Sequence, residues 1–221
     1  MSSPLRELSA PSEAAVRGIA HASLGRRTRD VLARVVRKLS DTTVTLVESR
    51  RGERIRRDPA RLIAALRSAK AVLIVCHGNI IRSPFTARLV RRELGDQPRI
   101  SVSSAGLGAT PGTPPPPAAF RVAARLHVDL GQHAAAALTS EAVAASDVVF
   151  VMDFLQLRVM RSRFPEARAK AFLLTSLAPE AALEVRDPFG GDEAAFQACY
   201  DHISRSVRPI VRLLEERGDR R

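Results

Sequence analysis

The sequence lacks the features of a membrane protein, a secreted protein and a disulfide-stabilised protein. Its longest apolar run, Ala71–Cys76, has the length of a strand and falls far short of the ~20 residues of a membrane-spanning helix. Two cysteines in 221 residues cannot form a disulfide framework, and neither lies near histidines at a zinc-site spacing. The first residues show no basic segment followed by an apolar one, which argues against a signal peptide. We therefore expect a cytoplasmic protein with reduced thiols, no metal and no cofactor.

The charge of the chain is concentrated in its first third. Residues 1–70 hold 16 Lys and Arg against 7 Asp and Glu, which is +9 of the formal net charge of +12. Such asymmetry marks a domain boundary, and we predict a basic, mainly helical extension over residues 1–69 followed by a domain over residues 70–221. Arginine exceeds lysine along the whole chain, so the basic charge does not by itself indicate a nucleic-acid partner, and we expect none.

Two helices and one short strand are predicted within the extension. Residues Arg27–Leu39 carry apolar side chains on one helical face and basic side chains elsewhere, the pattern of an amphipathic helix. Thr42–Glu48 is predicted as the strand and Pro59–Ser68 as the second helix. The apolar face of the first helix must be buried against the rest of the chain, a second copy or a partner protein.

From Ala71 onward, strand patterns alternate with helix patterns. Continuous apolar runs predict four strands, at Ala71–Val75, Arg99–Ser104, Asp147–Met152 and Lys170–Leu174. Helices are predicted to open at Ser83-Pro84 and stop at Gly95, and to lie around Phe120–Leu126, Leu155–Phe164 and Glu193–Arg217. This alternation predicts an α/β domain with a parallel sheet that helices cover on both faces.

The segment Val75–Pro84, VCHGNIIRSP, lies where the first of these strands turns into the helix that follows it. Ligands of open parallel sheets bind at the carboxyl ends of the strands, where a helix N-terminus attracts anions. A cysteine followed by five residues and an arginine can wrap backbone amides around a tetrahedral oxyanion, which the guanidinium then closes. The position of the Cys76 thiol at the positive end of the helix, beside Arg82 and Ser83, favours a nucleophilic thiolate.

A thiolate that attacks a phosphate ester needs a proton donor for the leaving oxygen. Asp187 is the best candidate, because it lies in a loop between the fourth strand and the last helix. Pro188 restrains this loop, and the ring of Phe189 is predicted to form a pocket wall against an aryl leaving group.

Residues 71–217 resemble the low-molecular-weight protein tyrosine phosphatases of bacteria. The matching pieces stand in the family's order: the Val75–Pro84 segment, Ser103–Gly106, His133, Met152-Asp153 and Asp187–Phe189. The resemblance implies a four-stranded parallel sheet in the order 2-1-3-4 with helices on both faces. It also implies hydrolysis of phosphotyrosine on proteins through a phosphocysteine intermediate, without a metal.

Three catalytic roles follow from the resemblance. Cys76 would be the nucleophile. Arg82 would bind the phosphate and stabilise the transition state. Asp187 would protonate the leaving phenol and then deprotonate the attacking water.

The remaining site residues implied by the resemblance hold the phosphate or support the loop. Backbone amides of the loop would complete the phosphate cradle with Cys76 and Arg82, at His77, Gly78, Asn79, Ile80 and Ile81. The Ser83 hydroxyl would hydrogen-bond the thiolate. Asn79 would hold the loop in place through Ser104 and His133.

The sequence departs from the family pattern at several positions. Ile81 stands where relatives often carry a second cysteine, so the nucleophile lacks the partner of a protective disulfide. Thr86-Ala87, Ala136 and Gly190 replace other common family residues, and Gly190 thins one wall of the pocket. Ile80 matches the tyrosine-specific members, whereas relatives specific for phosphoarginine tend to carry threonine there.

Three alternative functions stay open. Arsenate reduction needs further cysteines to resolve an arseno-cysteine adduct, and only Cys199 is available, in a helix whose pattern predicts core packing. Protein-arginine phosphatase activity is disfavoured by Ile80. A non-catalytic phosphoprotein-binding module would not need Asp187. Because bacterial members of the family often oppose tyrosine kinases of polysaccharide export, we expect a phosphotyrosine-containing protein, such as one of these kinases, as partner.

Overall fold

The computed structural model describes residues 50, 59–95, 99–178 and 182–216. The helix predicted over Arg27–Leu39 and the strand predicted over Thr42–Glu48 lie outside these residues. Within the described part of the chain, no helix is both long enough and apolar enough to cross a membrane.

Four parallel strands form one sheet in the order β2-β1-β3-β4. They are β1 (Ala71–Cys76), β2 (Ser101–Gly106), β3 (Val148–Val151) and β4 (Ala171–Leu173). In register, Val72 of β1 lies opposite Val102 of β2 and Val148 of β3. The predicted strand order 2-1-3-4 is therefore confirmed, and each predicted strand lies within two residues of its observed bounds.

Helices cover both faces of the sheet, as predicted. They are α1 (Ala60–Ser68), α2 (Arg82–Leu94), α3 (Pro117–Arg125), α4 (Ser140–Ala144), α5 (Phe154–Arg163) and α6 (Glu193–Glu215), with short 3₁₀ turns at Pro165–Ala169 and Leu174–Leu177. The alternation of side chains along β1 divides the core, because Val72 and Ile74 pack with α1, α2, α3 and α6, whereas Leu73 and Val75 pack with α4 and α5.

Capping residues set the ends of the helices that border the carboxyl edge of the sheet. Asp153 caps α5 by accepting a hydrogen bond from the amide of Gln156 at 2.8 Å, and Asp192 caps α6 in the same way. Gly95 ends α2 with a φ of +60°, a left-handed conformation that glycine adopts without strain. The N-termini of α5 and α6 are therefore fixed by aspartate caps.

The helix α1 packs into the core of the sheet domain although it precedes residue 70, the predicted start of that domain. Leu62 and Leu66 are fully buried in the same cluster as Val72 and the apolar face of α6. Arg67 also pairs with Glu216 near the end of α6, at 3.0 Å. This exposed ion pair adds little to the stability of the fold, so α1 is held mainly by the burial of the two leucines.

We expect Leu66→Ala to lower the free energy of unfolding by about 2–5 kcal/mol, because the substitution leaves a cavity under α1. Urea denaturation of the full chain measures this loss. Ser68→Ala, at an exposed position of the same helix, is the control and should change stability by less than about 0.5 kcal/mol. A loss below about 1 kcal/mol for Leu66→Ala would contradict the packing of α1 in the core.

Candidate active site

Cys76 ends β1 at the carboxyl edge of the sheet, and Arg82 begins α2 six residues after it. The Sγ atom of Cys76 accepts a hydrogen bond from the backbone N–H of Asn79 at 3.2 Å and lies 3.0 Å from Oγ of Ser83. The thiol is buried and lies beside the first turn of α2. The surroundings of the sulfur therefore offer hydrogen bonds to an anion.

Asn79 is the central support of the loop between β1 and α2. It is fully buried with a φ of +52°, a left-handed conformation in which asparagine is over-represented. Its Nδ2 donates to Oγ of Ser83 at 2.8 Å and to Oγ of Ser104 at 3.0 Å, and its Oδ1 accepts from the amide of Ala136 at 2.8 Å. The side chain thus ties the loop to α2, β2 and the segment before α4.

The hydrogen bonds of Asn79 also orient the hydroxyl of Ser83. An amide Nδ2 can only donate, so Oγ of Ser83 accepts from Asn79 and keeps its own proton to donate. The Sγ of Cys76 lies 3.0 Å from this hydroxyl, nearer than the other acceptor, the carbonyl of Ala105 at 3.5 Å. The chain Asn79–Ser83–Cys76 is therefore arranged to stabilise negative charge on the sulfur.

His133 holds the loop from the other side. Its Nε2 lies 2.7 Å from the carbonyl oxygen of Asn79, so this nitrogen carries the proton and donates. Burial lowers the pKa of His133; the hydrogen bond to Asn79 opposes this shift, and the charges of Arg88 and Arg91 add to it. The ring is accordingly neutral at physiological pH and acts as a fixed donor to the loop.

Gly106 allows β2 to approach the loop closely. A Cβ atom at this position would lie 2.6 Å from the carbonyl oxygen of His77 and 3.0 Å from the nitrogen of Asn79. The close approach brings the next two amides within hydrogen-bond distance of the loop: Leu107 donates to the carbonyl of Cys76 and Gly108 to that of His77, both at 3.0 Å. Any side chain at position 106 would push the loop away from β2.

The guanidinium of Arg82 is almost completely buried, with 4% of its side chain exposed. Its Nη1 donates to the carbonyl oxygen of Val185 at 3.1 Å and to the carboxylate of Asp153 at 3.2 Å. Its Nη2 donates to the carboxylate of Asp187. Two carboxylates and a carbonyl therefore fix the orientation of this arginine at the end of the loop.

Asp153 is a site residue to which the sequence assigned no role. It contacts Arg82 and is itself held by Gln156, whose Nε2 donates to the Asp153 carboxylate and whose Oε1 accepts from the amide of Met152 at 3.0 Å. A signal for it was present, because Asp153 follows β3, and the predicted strand order brings the carboxyl ends of β3 and β1 side by side.

Asp187 and Phe189 lie in the loop before α6, on the solvent side of Arg82. The side chain of Asp187 is 43% exposed, and its Oδ1 accepts from the amide of Phe189 at 3.2 Å. The ring of Phe189 is 70% exposed and borders the mouth of the site without lining the cavity there. The structure thus brings Cys76, Arg82 and Asp187 to one place, with Phe189 at its edge.

The remaining predicted residues of the loop lie between Cys76 and Arg82. His77 lines the cavity at the mouth of the site, whereas Ile80 and Ile81 pack against the apolar core. Among the described residues, no group of three or more His, Cys, Asp or Glu side chains is placed to hold a metal ion.

Cys199 is buried on α6, at the core position predicted for it. Burial raises the pKa of its thiol to about 12, although the nearby charge of Arg82 opposes the shift. The thiol is therefore protonated, and unreactive as a nucleophile, at neutral pH.

We expect iodoacetamide at pH 7.5 to alkylate Cys76 in the folded protein and to leave Cys199 unmodified until the chain is unfolded in urea. Peptide mass spectrometry of both samples distinguishes the two sites. Peroxide treatment should likewise oxidise Cys76 without forming a Cys76–Cys199 disulfide, because the second thiol is not ionised. Labelling of Cys199 as fast as Cys76, or a bridging disulfide, would contradict the protected state of Cys199.

Comparison with known proteins identifies relatives of this chain. The sequence model of the family described as low molecular weight phosphotyrosine protein phosphatase matches residues 71–220. The probable low molecular weight protein-tyrosine-phosphatase EpsP of Ralstonia nicotianae is 36% identical over 138 residues, which are 62% of this chain and 91% of that protein.

Solved structures show the same similarity. The tyrosine phosphatase Wzb from Escherichia coli K30, in complex with sulphate, matches with a TM-score of 0.61 and 30% identity, over 65% of this chain and 97% of that one. The YwlE arginine phosphatase from Geobacillus stearothermophilus matches with a TM-score of 0.62 and 27% identity, over 69% and 97% of the two chains.

Proposed function

The chain belongs to the low-molecular-weight protein-tyrosine-phosphatase family, a family of hydrolases, and from this premise we propose that it hydrolyses phosphotyrosine on proteins through a phosphocysteine, without a metal. The observation that carries the proposal is the environment of Cys76. Its Sγ lies 3.0 Å from the Ser83 hydroxyl and 3.2 Å from the Asn79 amide, at the start of the helix that presents Arg82. This arrangement suits a thiolate facing a bound oxyanion.

Phosphate binding exchanges one partner of Arg82. The Nη1 end of the guanidinium is anchored by Asp153 and the carbonyl of Val185, whereas the Nη2 end donates to Asp187. A phosphate seated on the backbone amides of residues His77–Arg82 takes the place of the Asp187 carboxylate at Nη2. Asp187 is thereby released toward the leaving oxygen of the substrate.

Sγ of Cys76 then attacks the phosphorus in line with the leaving phenolic oxygen. The S–P bond forms as the P–O bond to tyrosine breaks, and Asp187, which takes up a proton from solvent once it has left Arg82, gives that proton to the leaving oxygen. The loop amides and Arg82 stabilise the charge on the three equatorial oxygens. Tyrosine leaves, and phosphocysteine remains.

Water completes the cycle. The carboxylate of Asp187 takes a proton from the attacking water as its oxygen bonds to phosphorus and the S–P bond breaks. The departing thiolate returns to the hydrogen bonds of Ser83 and the Asn79 amide. Asp187 then gives this proton to solvent, and release of phosphate lets its carboxylate pair again with Arg82.

Phosphotyrosine is favoured as substrate because the nucleophile is buried behind the loop, where a long aryl phosphate reaches it more easily than a phosphoserine. A phenol, with a pKa of about 10, is also a better leaving group than an alkyl alcohol. The physiological substrate that we propose is a tyrosine-phosphorylated tail of a bacterial kinase of polysaccharide export.

Phosphoarginine hydrolysis is the second candidate, because the chain also resembles the YwlE arginine phosphatase, with a TM-score of 0.62. Ile80 favours phosphotyrosine over this alternative. Arsenate reduction is disfavoured, because the buried Cys199, with its pKa raised to about 12, is a poor resolving thiol. A non-catalytic binding module is disfavoured by the pairing of Asp187 with Arg82.

Phosphate release from three peptides of identical flanking sequence, carrying phosphotyrosine, phosphoserine or phosphoarginine, tests the proposed function. We expect kcat/KM for phosphotyrosine to exceed that for phosphoserine by at least about 10²-fold, and EDTA to leave it unchanged. A higher kcat/KM for phosphoarginine than for phosphotyrosine would replace the proposal by the second candidate. Loss of activity in EDTA would contradict metal independence.

A further inference from the structure

Two large apolar side chains are exposed at the mouth of the active site. Among the described residues, the exposed large hydrophobic side chains are Leu155, 60% exposed, and Phe189, 70% exposed. Phe189 follows Asp187 by two residues, and Leu155 lines the same cavity as Asp187. Exposed apolar side chains are common singly, but two of them near the proposed general acid indicate a surface that contacts the substrate.

A cavity of about 860 Å³ extends from Arg82 and Asp187 along the first turns of α5. We call its apolar part the flanking groove; it lies between α5 and residues 183–187. It is lined by Leu107, Phe154, Leu155, Val159, Leu183 and Val185. A phosphate group needs only the end formed by Arg82, so the apolar walls beyond that end have no role in the mechanism given above.

The walls of the flanking groove are tied to the catalytic arginine. The amide of Val185 donates to the carbonyl of Met152 at 2.8 Å, and the carbonyl of Val185 accepts from Arg82 at 3.1 Å. The carboxylate of Glu184 accepts from the amide of Phe154 at 2.8 Å, which joins the segment to the N-terminus of α5. The groove is thus formed before substrate binds, and its position relative to Arg82 is set.

We propose that the flanking groove binds a large apolar side chain of the protein substrate, located within three residues of the phosphotyrosine. This inference rests on the proposed function. The occupant is assigned by its covalent link to the phosphotyrosine. The groove and Arg82 line the same cavity, so when the phosphate contacts Arg82, the residues next to the phosphotyrosine are the ones that can fill the groove. An extended chain advances about 3.3–3.6 Å per residue, so the neighbours of the phosphotyrosine are the residues within reach.

The rim of the flanking groove suits such a peptide. Glu184 and Arg186 are exposed and line the cavity beside the apolar walls. An apolar centre with a polar rim is the usual composition of a protein interface. The substrate class is therefore a phosphotyrosine segment that contains a nearby leucine, isoleucine, methionine or phenylalanine.

A peptide series tests the inference with the full chain. Leucine is placed in turn at each of the three positions before and after phosphotyrosine in a background of alanine and serine, and kcat/KM is compared with that of the all-background peptide. We expect leucine at one position to raise kcat/KM about tenfold, the scale that apolar pockets give for a few methylene groups. No position with more than about a twofold gain would overturn the inference.

Variants in the groove show where this preference arises. In Leu155→Ser and Val159→Ser, kcat/KM for the preferred leucine peptide should exceed that for the all-background peptide by about twofold or less. Because both peptides are measured on the same variant, changes in the chemical step cancel from the ratio. Ser162→Ala, at an exposed position of α5 outside the groove, is the control and should keep the wild-type ratio.

The remaining outcomes separate this inference from the proposed function. A leucine preference that survives in both groove variants would place the apolar contact elsewhere and overturn the inference while the proposed function stands. Failure to hydrolyse any phosphotyrosine peptide, with p-nitrophenyl phosphate still hydrolysed, would reject the proposed function, and the groove as a peptide subsite with it.

Discussion

Cys76→Ser is expected to reduce kcat for p-nitrophenyl phosphate by roughly 10⁴-fold or more, the scale of loss when a catalytic nucleophile is removed. A serine hydroxyl remains protonated at neutral pH, and the Ser83 hydroxyl and Asn79 amide that contact Sγ are arranged for an anion. The two groups that contact Sγ, the Ser83 hydroxyl and the Asn79 backbone N–H, are hydrogen-bond donors there and cannot take a proton from a serine. Steady-state release of p-nitrophenol measures the loss.

Two controls separate loss of the nucleophile from loss of the fold. Cys199→Ala changes the other buried cysteine, which makes no contact in the proposed mechanism, and should keep turnover per folded molecule. Cys76→Ser should still bind inorganic phosphate, measured by calorimetry, because the loop amides and Arg82 are unchanged. A Cys76→Ser protein that turns over within about tenfold of wild type would remove Cys76 from the mechanism.

The features that could be predicted from sequence are those with local causes. The continuous apolar run at Ala71–Val75 predicted a strand buried on both faces, and β1 is buried in this way. Gly95 predicted the end of α2, where it adopts a left-handed φ. The alternation of strands and helices predicted the parallel sheet, because parallel strands need crossover connections.

Other features depend on contacts between distant parts of the chain. Asp153 touches Arg82 only because β3 lies beside β1, and Val185 reaches Arg82 from a segment 103 residues further along the sequence. The sequence predicted the helix over Pro59–Ser68 but left open what covers the apolar side chains of the extension; Leu62 and Leu66 pack in the core of the sheet domain. Local patterns carry no information on such contacts.

The two ends of the Arg82 guanidinium have different partners, and this separates the roles of two carboxylates. Asp153 is held by Gln156 and binds Nη1, together with the carbonyl of Val185. Asp187 binds Nη2 from an exposed loop, where its carboxylate is free to leave when phosphate arrives. In the proposed mechanism, Asp153 positions Arg82, and Asp187 is the group that faces the leaving oxygen. Substitution of either aspartate disturbs Arg82, but only substitution of Asp187 removes the proposed proton donor.

Asp187→Asn is therefore expected to slow hydrolysis of a phosphotyrosine peptide by roughly 10²–10⁴-fold, and that of p-nitrophenyl phosphate much less. Nitrophenolate leaves without protonation, whereas the phenolate of tyrosine needs the proton that asparagine cannot supply. Asp153→Asn is the matched control, because it also removes a carboxylate from Arg82 and should slow both substrates by the same factor. The measurement is kcat/KM for both substrates on both variants, because kcat/KM reports the steps up to departure of the phenol and leaves out the hydrolysis of phosphocysteine, in which Asp187 also takes part. Equal slowing of the two substrates by Asp187→Asn would show that Asp187 acts only through its ion pair with Arg82, and the general acid would have to be sought elsewhere.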